Sequence, residues 1–308
     1  MRGRGNEMNV LNTEQSHGKS NNLDVMDAAE IIGLMNEADL EVVSKVRSEI
    51  ANIADAVDLV ARSLKNGGRL IYVGAGTSGR LGILDAVECP PTFGVSDQLI
   101  QGVIAGGPNA VFKSAEGAED DESQGGIDLQ QIGLNSNDAV MAISASGRTP
   151  YCIGALKYAA AKGAGTIALS CNKNVRMSEL ADISIEVDTG PEVITGSTRL
   201  KAGTAEKMVL NMISTAAMVK LGKVYKNYMV DMIVSNQKLA DRSRRIVMNA
   251  ADISNEMKAQ ELLEEASGNM KVAIVMALAN VNKEEAAQLL SEHGGFVRRA
   301  VHSKNGLV

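Results

Sequence analysis

The chain has 308 residues, of which 45% are hydrophobic and 22% are charged, so it is long and apolar enough for one or two buried cores. This composition excludes an intrinsically disordered chain, a collagen and a disulfide-stabilised mini-protein. Its 31 Lys and Arg residues against 37 Asp and Glu residues give a formal net charge of -6, so no overall positive field attracts nucleic acid or an anionic membrane.

Two segments precede the first predicted strand. Residues 1–22 are polar, rich in Gly, Asn and Ser, and without periodicity, which predicts a flexible arm outside the core. In the segment 23–66, apolar residues recur at helical spacing from Asp24 to about Lys65. We therefore predict two helices that pack on the following domain, with Asp24 as the N-cap of the first.

Residues 67–235 show strands that alternate with helices. The first strand, Arg69 to Val73, is followed by a glycine loop and by a helix that Pro90 and Pro91 are predicted to end. A strand, a loop and a helix follow in the same order over 139–161. The remaining predicted strands are 102–105, 166–170 and 183–187, and a loop at 195–198 opens a helix to Leu221. This alternation predicts an α/β domain with a doubly wound parallel sheet covered on both faces.

After about residue 236 the strand patterns stop. Four short amphipathic segments follow, at 236–250, 254–266, 270–279 and 282–301. They predict a small helical C-terminal subdomain over 236–308. Its role stays open between additional packing, an oligomer contact and a lid.

The cysteines and the N-terminus bear on location. Cys89, Cys152 and Cys171 are widely spaced and form no CxxC pair, which disfavours a disulfide framework and a zinc site. No stretch reaches the roughly 18 apolar residues of a membrane span, and no apolar segment follows Arg2 and Arg4 as in a secretory signal. We therefore expect a cytoplasmic protein without a metal site.

The glycine loop at 74–79 matches the G-x-G-x-x-G pattern of dinucleotide-binding folds. That fold also needs an acidic residue at the end of the second strand, whereas Asp97 precedes the next strand here. A phosphorylated small molecule fits better, because exposed N–H groups at helix N-termini favour anions. The alternative is that each loop hydroxyl only caps a helix. The predicted donors are Ser78, Ser144, Ser146 and Thr149.

Several loop motifs occur together in a fixed order. They are 74–80 (GAGTSGR), 88–91 (ECPP), 116–120 (EGAED), 146–150 (SGRTP), 195–197 (TGS), 201–205 (KAGTA) and 293–296 (HGGF). In these motifs, over about residues 30 to 300, the chain resembles the N-acetylmuramic acid 6-phosphate etherases. The resemblance implies the sugar isomerase fold, with a five-stranded parallel sheet and a relation to glucokinase regulatory protein. It also implies a homodimer.

The same resemblance implies a lyase of cell-wall recycling that converts N-acetylmuramic acid 6-phosphate to N-acetylglucosamine 6-phosphate and D-lactate. Its acid/base glutamates fall on Glu88 and Glu119, and no cofactor is implied. With the loop residues around the hydroxyl donors, the predicted substrate-binding set is Thr77, Ser78, Ser144, Ser146, Gly147, Thr149, Glu192 and Ser197.

Two carboxyl groups suit this chemistry, because elimination of lactate needs a base for the C2 proton and an acid for the leaving oxygen on C3. Glu88 lies near a predicted helix end, whose negative dipole favours the protonated acid. Glu119 lies near a helix start, which favours the carboxylate and hence the base. The alternative for Glu119 is a merely solvated acidic run at 116–122.

Two other functions stay open on this fold. An aldose–ketose isomerase also uses a base at C2 but has no leaving group at C3. A non-catalytic sugar-phosphate-binding regulator binds its ligand without turnover. The roles of Arg199 and Lys201 stay open between the lactate carboxylate and the helix start, and that of His293 between the active site and a structural turn.

Overall fold

The computed structural model describes residues 11–234 and 236–304. They form two compact units, one made of the described residues up to Ala86 and of Gln98–Ile213, the other of Val87–Asp97 and the residues from Ser214 on. The boundaries predicted after 66 and after 235 do not coincide with this division. The N-terminal helices belong to the same unit as the sheet, and residues 214–234 belong to the other unit. Residues 1–10 of the predicted arm lie outside the described residues.

The first unit contains, in the described part of the chain, a parallel sheet of five strands in the order β2-β1-β3-β4-β5. Leu70 of β1 pairs with Ile100 on one side and with Ala139 on the other, so the strand order reverses at β1. Doubly wound sheets bind ligands at this reversal, outside the carboxyl ends of the strands. The strands are β1 Leu70–Gly74, β2 Ile100–Ile104, β3 Ala139–Ile143, β4 Gly165–Ser170 and β5 Ile183–Glu186.

Helices cover both faces of the sheet, as predicted. Ile71 and Val73 of β1 pack in one buried cluster with Tyr151 of α5. Tyr72 faces the other way, because a Cβ added to Gly82 of α3 would lie 2.9 Å from its Cβ. The helices that begin in this unit are α1 Ala28–Ser48, α2 Ile50–Lys65, α3 Gly76–Phe93, α4 Glu122–Gln131, α5 Pro150–Ala161 and α6 Lys201–Lys220.

Two predicted helix boundaries are corrected. Helix α1 is capped by Asp27 instead of Asp24, because Asp27 and Glu30 accept hydrogen bonds from each other's backbone N–H at 2.9 Å, which is a capping box. Helix α3 does not stop before Pro90 but continues through both prolines to Phe93. The prolines lie in its last turn, and the helix ends where Gly94 adopts φ +60°.

The predicted arm is corrected in its described part. Thr13 is fully buried. Its N–H donates to Asn172 Oδ1 at 3.2 Å, and the Asn172 amide donates to Thr13 Oγ1 at 2.9 Å. A single buried threonine has no periodicity, so the sequence pattern gave no sign that this segment joins the core.

The second unit has a hairpin that the sequence analysis missed, followed by the predicted helices. The segment predicted at 282–301 is two helices, because Gly294 and Gly295 adopt φ +63° and +80° between them. Among residues 11–234 and 236–304, no helix is long and apolar enough to cross a membrane. The elements are β6 Val224–Tyr225, β7 Tyr228–Met229, α7 Gln237–Ala250, α8 Glu256–Glu265, α9 Met270–Ala279, α10 Lys283–Glu292 and α11 Val297–Lys304.

Candidate active site

A cavity of about 420 Å³ lies at the carboxyl ends of β1 and β3, where the strand order reverses. The loops that follow these two strands form most of its wall. Of the predicted site residues, the structure brings six together here: Thr77, Ser78, Glu119, Ser144, Ser146 and Thr149.

The loop after β3 is held together by Ser144, which is 4% exposed. Its Oγ lies 2.7 Å from Thr149 Oγ1 and 3.2 Å from Ser146 Oγ, and it accepts a hydrogen bond from Gly147 N. Thr149 is engaged with Ser144, and in the described structure its side chain does not cap α5. The N–H groups that follow Pro150 in the first turn of α5 are therefore not capped by this side chain, and a helix N-terminus favours an anion.

Gly147 shapes this loop without lining the cavity. It adopts φ +65°, and a Cβ added to it would lie 2.3 Å from Val175 Cγ2. Val175 is itself buried, and the N–H of Met177 donates to the Gly147 carbonyl at 3.1 Å. Gly147 is thus required for the backbone course that presents the neighbouring hydroxyls.

The loop after β1 is equally close-packed. A Cβ on Gly79 would lie 2.7 Å from the carbonyl oxygen of Gly74, so the start of α3 approaches the end of the strand directly. Ser78 is 8% exposed and lines the cavity. Its Oγ is hydrogen-bonded at 2.8 Å to Oε1 of Glu206, on α6.

Glu206 is a functional candidate that the sequence analysis missed. It is completely buried, and burial raises its pKa to about 8, with a further contribution from the charge of Glu192. A signal was present, because Ala202, Ala205 and Val209 on the same helix are apolar and buried at helical spacing. A glutamate on that apolar stripe is expected to be buried, and the neighbouring residues of the helix offer no partner for its carboxyl group.

Glu119 lies where predicted, in the exposed turn Ala118–Asp120 just before α4. Its side chain lines the main cavity and also a neighbouring cavity of about 350 Å³, which Arg80 and Glu116 help to form. The acidic run is exposed, as the alternative interpretation expected, but this member of it faces both cavities. Glu119 thus lines the same cavity as the hydroxyls of the two loops.

Glu88 is placed differently. It is exposed on α3 and is not among the residues that line the main cavity. The helix continues beyond it to Phe93, so Glu88 does not lie at the negative end of the helix. It lies ten positions after Ser78 on the helix, which is about 15 Å along the axis.

Besides Gly147, two predicted binding residues, Glu192 and Ser197, stand outside the cavity wall. Both carboxylate oxygens of Glu192 accept hydrogen bonds from backbone N–H groups, of Lys201 at 2.8 Å and of Ala202 at 3.0 Å. Glu192 is fully buried, and this burial raises its pKa. It therefore caps the start of α6, and its predicted contact with the substrate stays a prediction. Ser197 is also absent from the wall, which its neighbour Thr198 joins.

Arg199, Lys201 and His293, whose roles the sequence leaves open, are not among the residues that line the main cavity. The ammonium of Lys201 lies 3.3 Å from Glu41 Oε2, and Arg199 is exposed. His293 follows α10 as its C-cap, and its N–H donates to the carbonyl of Leu289 at 3.1 Å. Each therefore has a structural contact or a solvent-facing position of its own.

Other wall residues were not predicted. The polar ones with side chains are Glu14, Asp120, Arg148 and Thr198. Glu14 arrives there because Thr13 beside it is anchored in the core. Within the part of the chain that the structure describes, no three His, Cys, Asp or Glu side chains are grouped so as to hold a metal ion.

Residues 126–216 match the SIS domain family, and residues 52–160 match the glucokinase regulatory protein N-terminal SIS domain. An N-acetylmuramic acid 6-phosphate etherase from a Geobacillus species is 55% identical over 291 residues, which cover 94% of this chain and 98% of the relative. The chain is a member of the N-acetylmuramic acid 6-phosphate etherase family. The etherase of that name from Bacillus cereus is also 55% identical, over 94% of this chain and 99% of its own.

As an N-acetylmuramic acid 6-phosphate etherase family member, the protein is an enzyme, and the predicted class of carbon–oxygen lyase in peptidoglycan recycling is confirmed. The predicted sugar isomerase fold is confirmed as well. Among solved structures, phosphoheptose isomerases from Neisseria gonorrhoeae and Francisella tularensis align with TM-scores of 0.49 and 0.48. They are 16% and 15% identical and cover 62% and 63% of this chain, and 98% and 100% of their own.

Proposed function

We propose that this enzyme releases D-lactate from N-acetylmuramic acid 6-phosphate by elimination across C2 and C3 and then adds water to C3. One observation carries the proposal. A cradle of hydroxyls and helix N-termini, suited to a phosphate, shares one cavity with the carboxylate of Glu119. An isomerase or a regulator on this fold would not explain a chain that is similar throughout to the etherases.

The phosphate is anchored by the two loops. Ser78, Ser146 and Thr149 offer hydroxyls, and α5 offers the N–H groups of its first turn. Thr77 lies at the same helix start as Ser78. Among the other predicted binders, Gly147 acts by shaping the loop. Glu192 and Ser197 act indirectly, because Glu192 accepts from the N–H of Lys201 and the Ser197 carbonyl accepts from the N–H of Arg199 just before α6. Anchoring at the phosphate allows binding energy to position the reacting carbons.

The chemistry starts from the ring-opened sugar, whose C1 aldehyde acidifies the C2 proton. Glu119, as the carboxylate, takes this proton. The electron pair forms a C2–C3 double bond, the C3–O bond breaks, and an acid protonates the lactyl oxygen, which leaves as lactate. Water then adds its oxygen to C3, a proton returns to C2, and the product is N-acetylglucosamine 6-phosphate. The net reaction is a hydrolysis without a redox change.

Glu88 is proposed as the acid, supplied by a second copy of the chain. Its distance along α3 from Ser78, about 15 Å, is too long for one carboxyl to reach a sugar anchored at the helix start. Leu84 and Val87, on the same face of α3, are 51% and 58% exposed. A homodimer would cover these apolar side chains and bring Glu88 to the partner's sugar.

The substrate also supports a location. A sugar phosphate carries charges that a bilayer does not admit. An enzyme that acts on it is therefore expected in the compartment where the sugar is phosphorylated, and we place this one in the cytoplasm.

The first test measures D-lactate released from N-acetylmuramic acid 6-phosphate and exchange of the C2 proton in deuterated water. Glu119→Gln is expected to lower kcat by about 10²–10⁴-fold and to stop the exchange. Glu88→Gln is expected to stop lactate release while exchange continues. Glu122→Gln, in the same acidic run but paired with Lys157 on the surface, serves as the matched control. Full lactate release by Glu119→Gln would remove that residue from the mechanism.

The second test mixes the two inactive proteins by co-expression. If Glu88 acts on the partner's sugar, each mixed dimer has one site with both glutamates intact, and about a quarter of all sites recover. If each chain uses its own Glu88, every site lacks one glutamate and no activity returns. That second outcome would contradict the shared site and leave the elimination chemistry standing.

A further inference from the structure

The carboxyl of Glu206 stands directly behind the phosphate loop and is hidden from solvent. It is 0% exposed, and its Oε1 lies 2.8 Å from Ser78 Oγ. Among the described residues, its Oε2 has no hydrogen-bond partner. A buried carboxylate normally has several donors around it, because an uncompensated buried charge is costly.

The protonation of Glu206 decides which way the Ser78 hydroxyl points. If the carboxyl is ionised, it can only accept, so the Ser78 O–H must be turned inward and its lone pairs face the cavity. If the carboxyl is neutral, its own O–H donates to Ser78 Oγ. The Ser78 O–H is then free to donate to an anion in the cavity, and Oε2 is a carbonyl oxygen, the least costly group to leave unpaired.

We propose that Glu206 is a positioning residue for the phosphate site, which holds the Ser78 hydroxyl as a donor to the substrate phosphate and does so only in its neutral form. The inference deepens the proposed function and rests on its phosphate assignment. The loop motifs do not include this residue. Glu206 permits phosphate binding when it is neutral and opposes phosphate binding when it is charged.

The surroundings of Glu206 favour the neutral form. Burial and the charge of Glu192 raise the pKa of Glu206 to about 8, although the hydrogen bond with Ser78 lowers it. The charge of Glu206 also acts on the thiols of Cys152 and Cys171. Burial raises their pKa values, that of Cys152 to about 12 and that of Cys171 well above its usual range. Glu192 is held by two backbone N–H groups at the start of α6. Glu206 is thus the group of this set expected to titrate between pH 7 and 9.

The test measures the dissociation constant of N-acetylglucosamine 6-phosphate by calorimetry from pH 7 to 9, which needs no turnover. The ester phosphate is already a dianion over this range. For the wild-type protein, the dissociation constant is expected to rise about tenfold between pH 7 and 9, as the neutral fraction of Glu206 falls. Binding near pH 8.5 is also expected to take up a proton, seen as a dependence of the measured heat on the buffer.

Glu206→Gln keeps a donor toward Ser78 but cannot ionise. Its dissociation constant is expected to change by no more than about twofold from pH 7 to 9, and its binding is expected to take up no proton. Glu206→Ala removes the donor and is expected to bind more weakly at every pH, so that Gln rescues what Ala loses. Glu265→Gln, an exposed acid on α8, should keep the wild-type alkaline weakening.

The outcomes separate the two levels of the proposal. Equal alkaline weakening in the wild type and in Glu206→Gln would overturn the role of Glu206 and leave the phosphate site intact. Failure of the wild type to bind the hexose phosphate at any pH would overturn the phosphate assignment itself, and the inference with it.

Discussion

The two loops that form the proposed phosphate site are held in place by different kinds of contact. In the loop after β3 the hydroxyls are bonded within the loop, because Ser144 bonds to Ser146, Gly147 and Thr149 within six residues. The loop after β1 depends on a distant partner, because its Ser78 is bonded to Glu206, 128 positions further along the chain.

The difference shows where each loop is sensitive. In the loop after β3, the backbone course matters most and the hydroxyls support one another. In the loop after β1, a single hydroxyl depends on the charge state of a buried acid. Backbone changes should therefore be most damaging in the first loop, and charge changes in the second.

The largest effect is expected for Gly147→Ala. The new side chain must adopt φ +65° and would stand 2.3 Å from Val175 Cγ2. The left-handed conformation costs roughly 1–2 kcal/mol, and crowding in a packed region adds roughly 1–3 kcal/mol. We expect the free energy of unfolding in urea to fall by about 2–5 kcal/mol, and hexose phosphate binding to weaken as the loop shifts.

Gly76→Ala in the loop after β1 is the matched control. Gly76 also has a positive φ, of +53°, but no atom lies within 4 Å of an added Cβ. Only the conformational cost remains, about 1–2 kcal/mol. Equal losses in the two variants would show that Val175 yields without cost and that the loop after β3 is not the more rigid one.

The next effect is a gain in stability from Glu206→Gln. In the unfolded chain this glutamate ionises near its ordinary pKa of 4.5, whereas in the folded protein burial raises the pKa to about 8. The folded state retains the proton that the unfolded state loses, so the stability of the wild type falls as pH rises from about 4.5 to about 8. At pH 7, removing this penalty should stabilise the protein by on the order of 3 kcal/mol.

Urea unfolding of both proteins at pH 5 and pH 8 checks this expectation. The advantage of Glu206→Gln should be small at pH 5 and large at pH 8. An advantage that does not change with pH would mean that Glu206 is ionised in the folded protein already at pH 5. Ser78 in the loop after β1 would then be bonded to a carboxylate and not to a neutral carboxyl group.

The same contrast explains what the sequence could predict. The strands, the glycine loops and the hydroxyls of 144–149 follow from local patterns, and the sheet order places them together. Glu206 was missed because its partner Ser78 is remote in sequence. Glu14 was missed because its position depends on the contact of Thr13 with Asn172, 159 residues away.

The end of α3 was misjudged for a different reason. Prolines usually stop a helix, but in the last turn they interrupt few helical hydrogen bonds. The stop signal was the next glycine, Gly94, at φ +60°. This error also placed Glu88 at a helix end and supplied a local electrostatic reason for its role as an acid, which the structure does not support.

The smallest effects come from the same substitution in each loop. Ser144→Ala removes bonds among groups that keep other partners, since Gly147 N also donates to the Ser144 carbonyl at 3.0 Å. Its cost in unfolding free energy should be about 1 kcal/mol. Ser78→Ala leaves the buried Glu206 with neither oxygen bonded in the described structure, and should cost about 1–3 kcal/mol, the range for an unsatisfied buried group. Urea unfolding at pH 7 compares the two. A larger loss of unfolding free energy from Ser144→Ala would reverse the contrast. It would mean that the hydrogen bonds within the loop after β3 stabilise the protein more than the bond between Ser78 and Glu206.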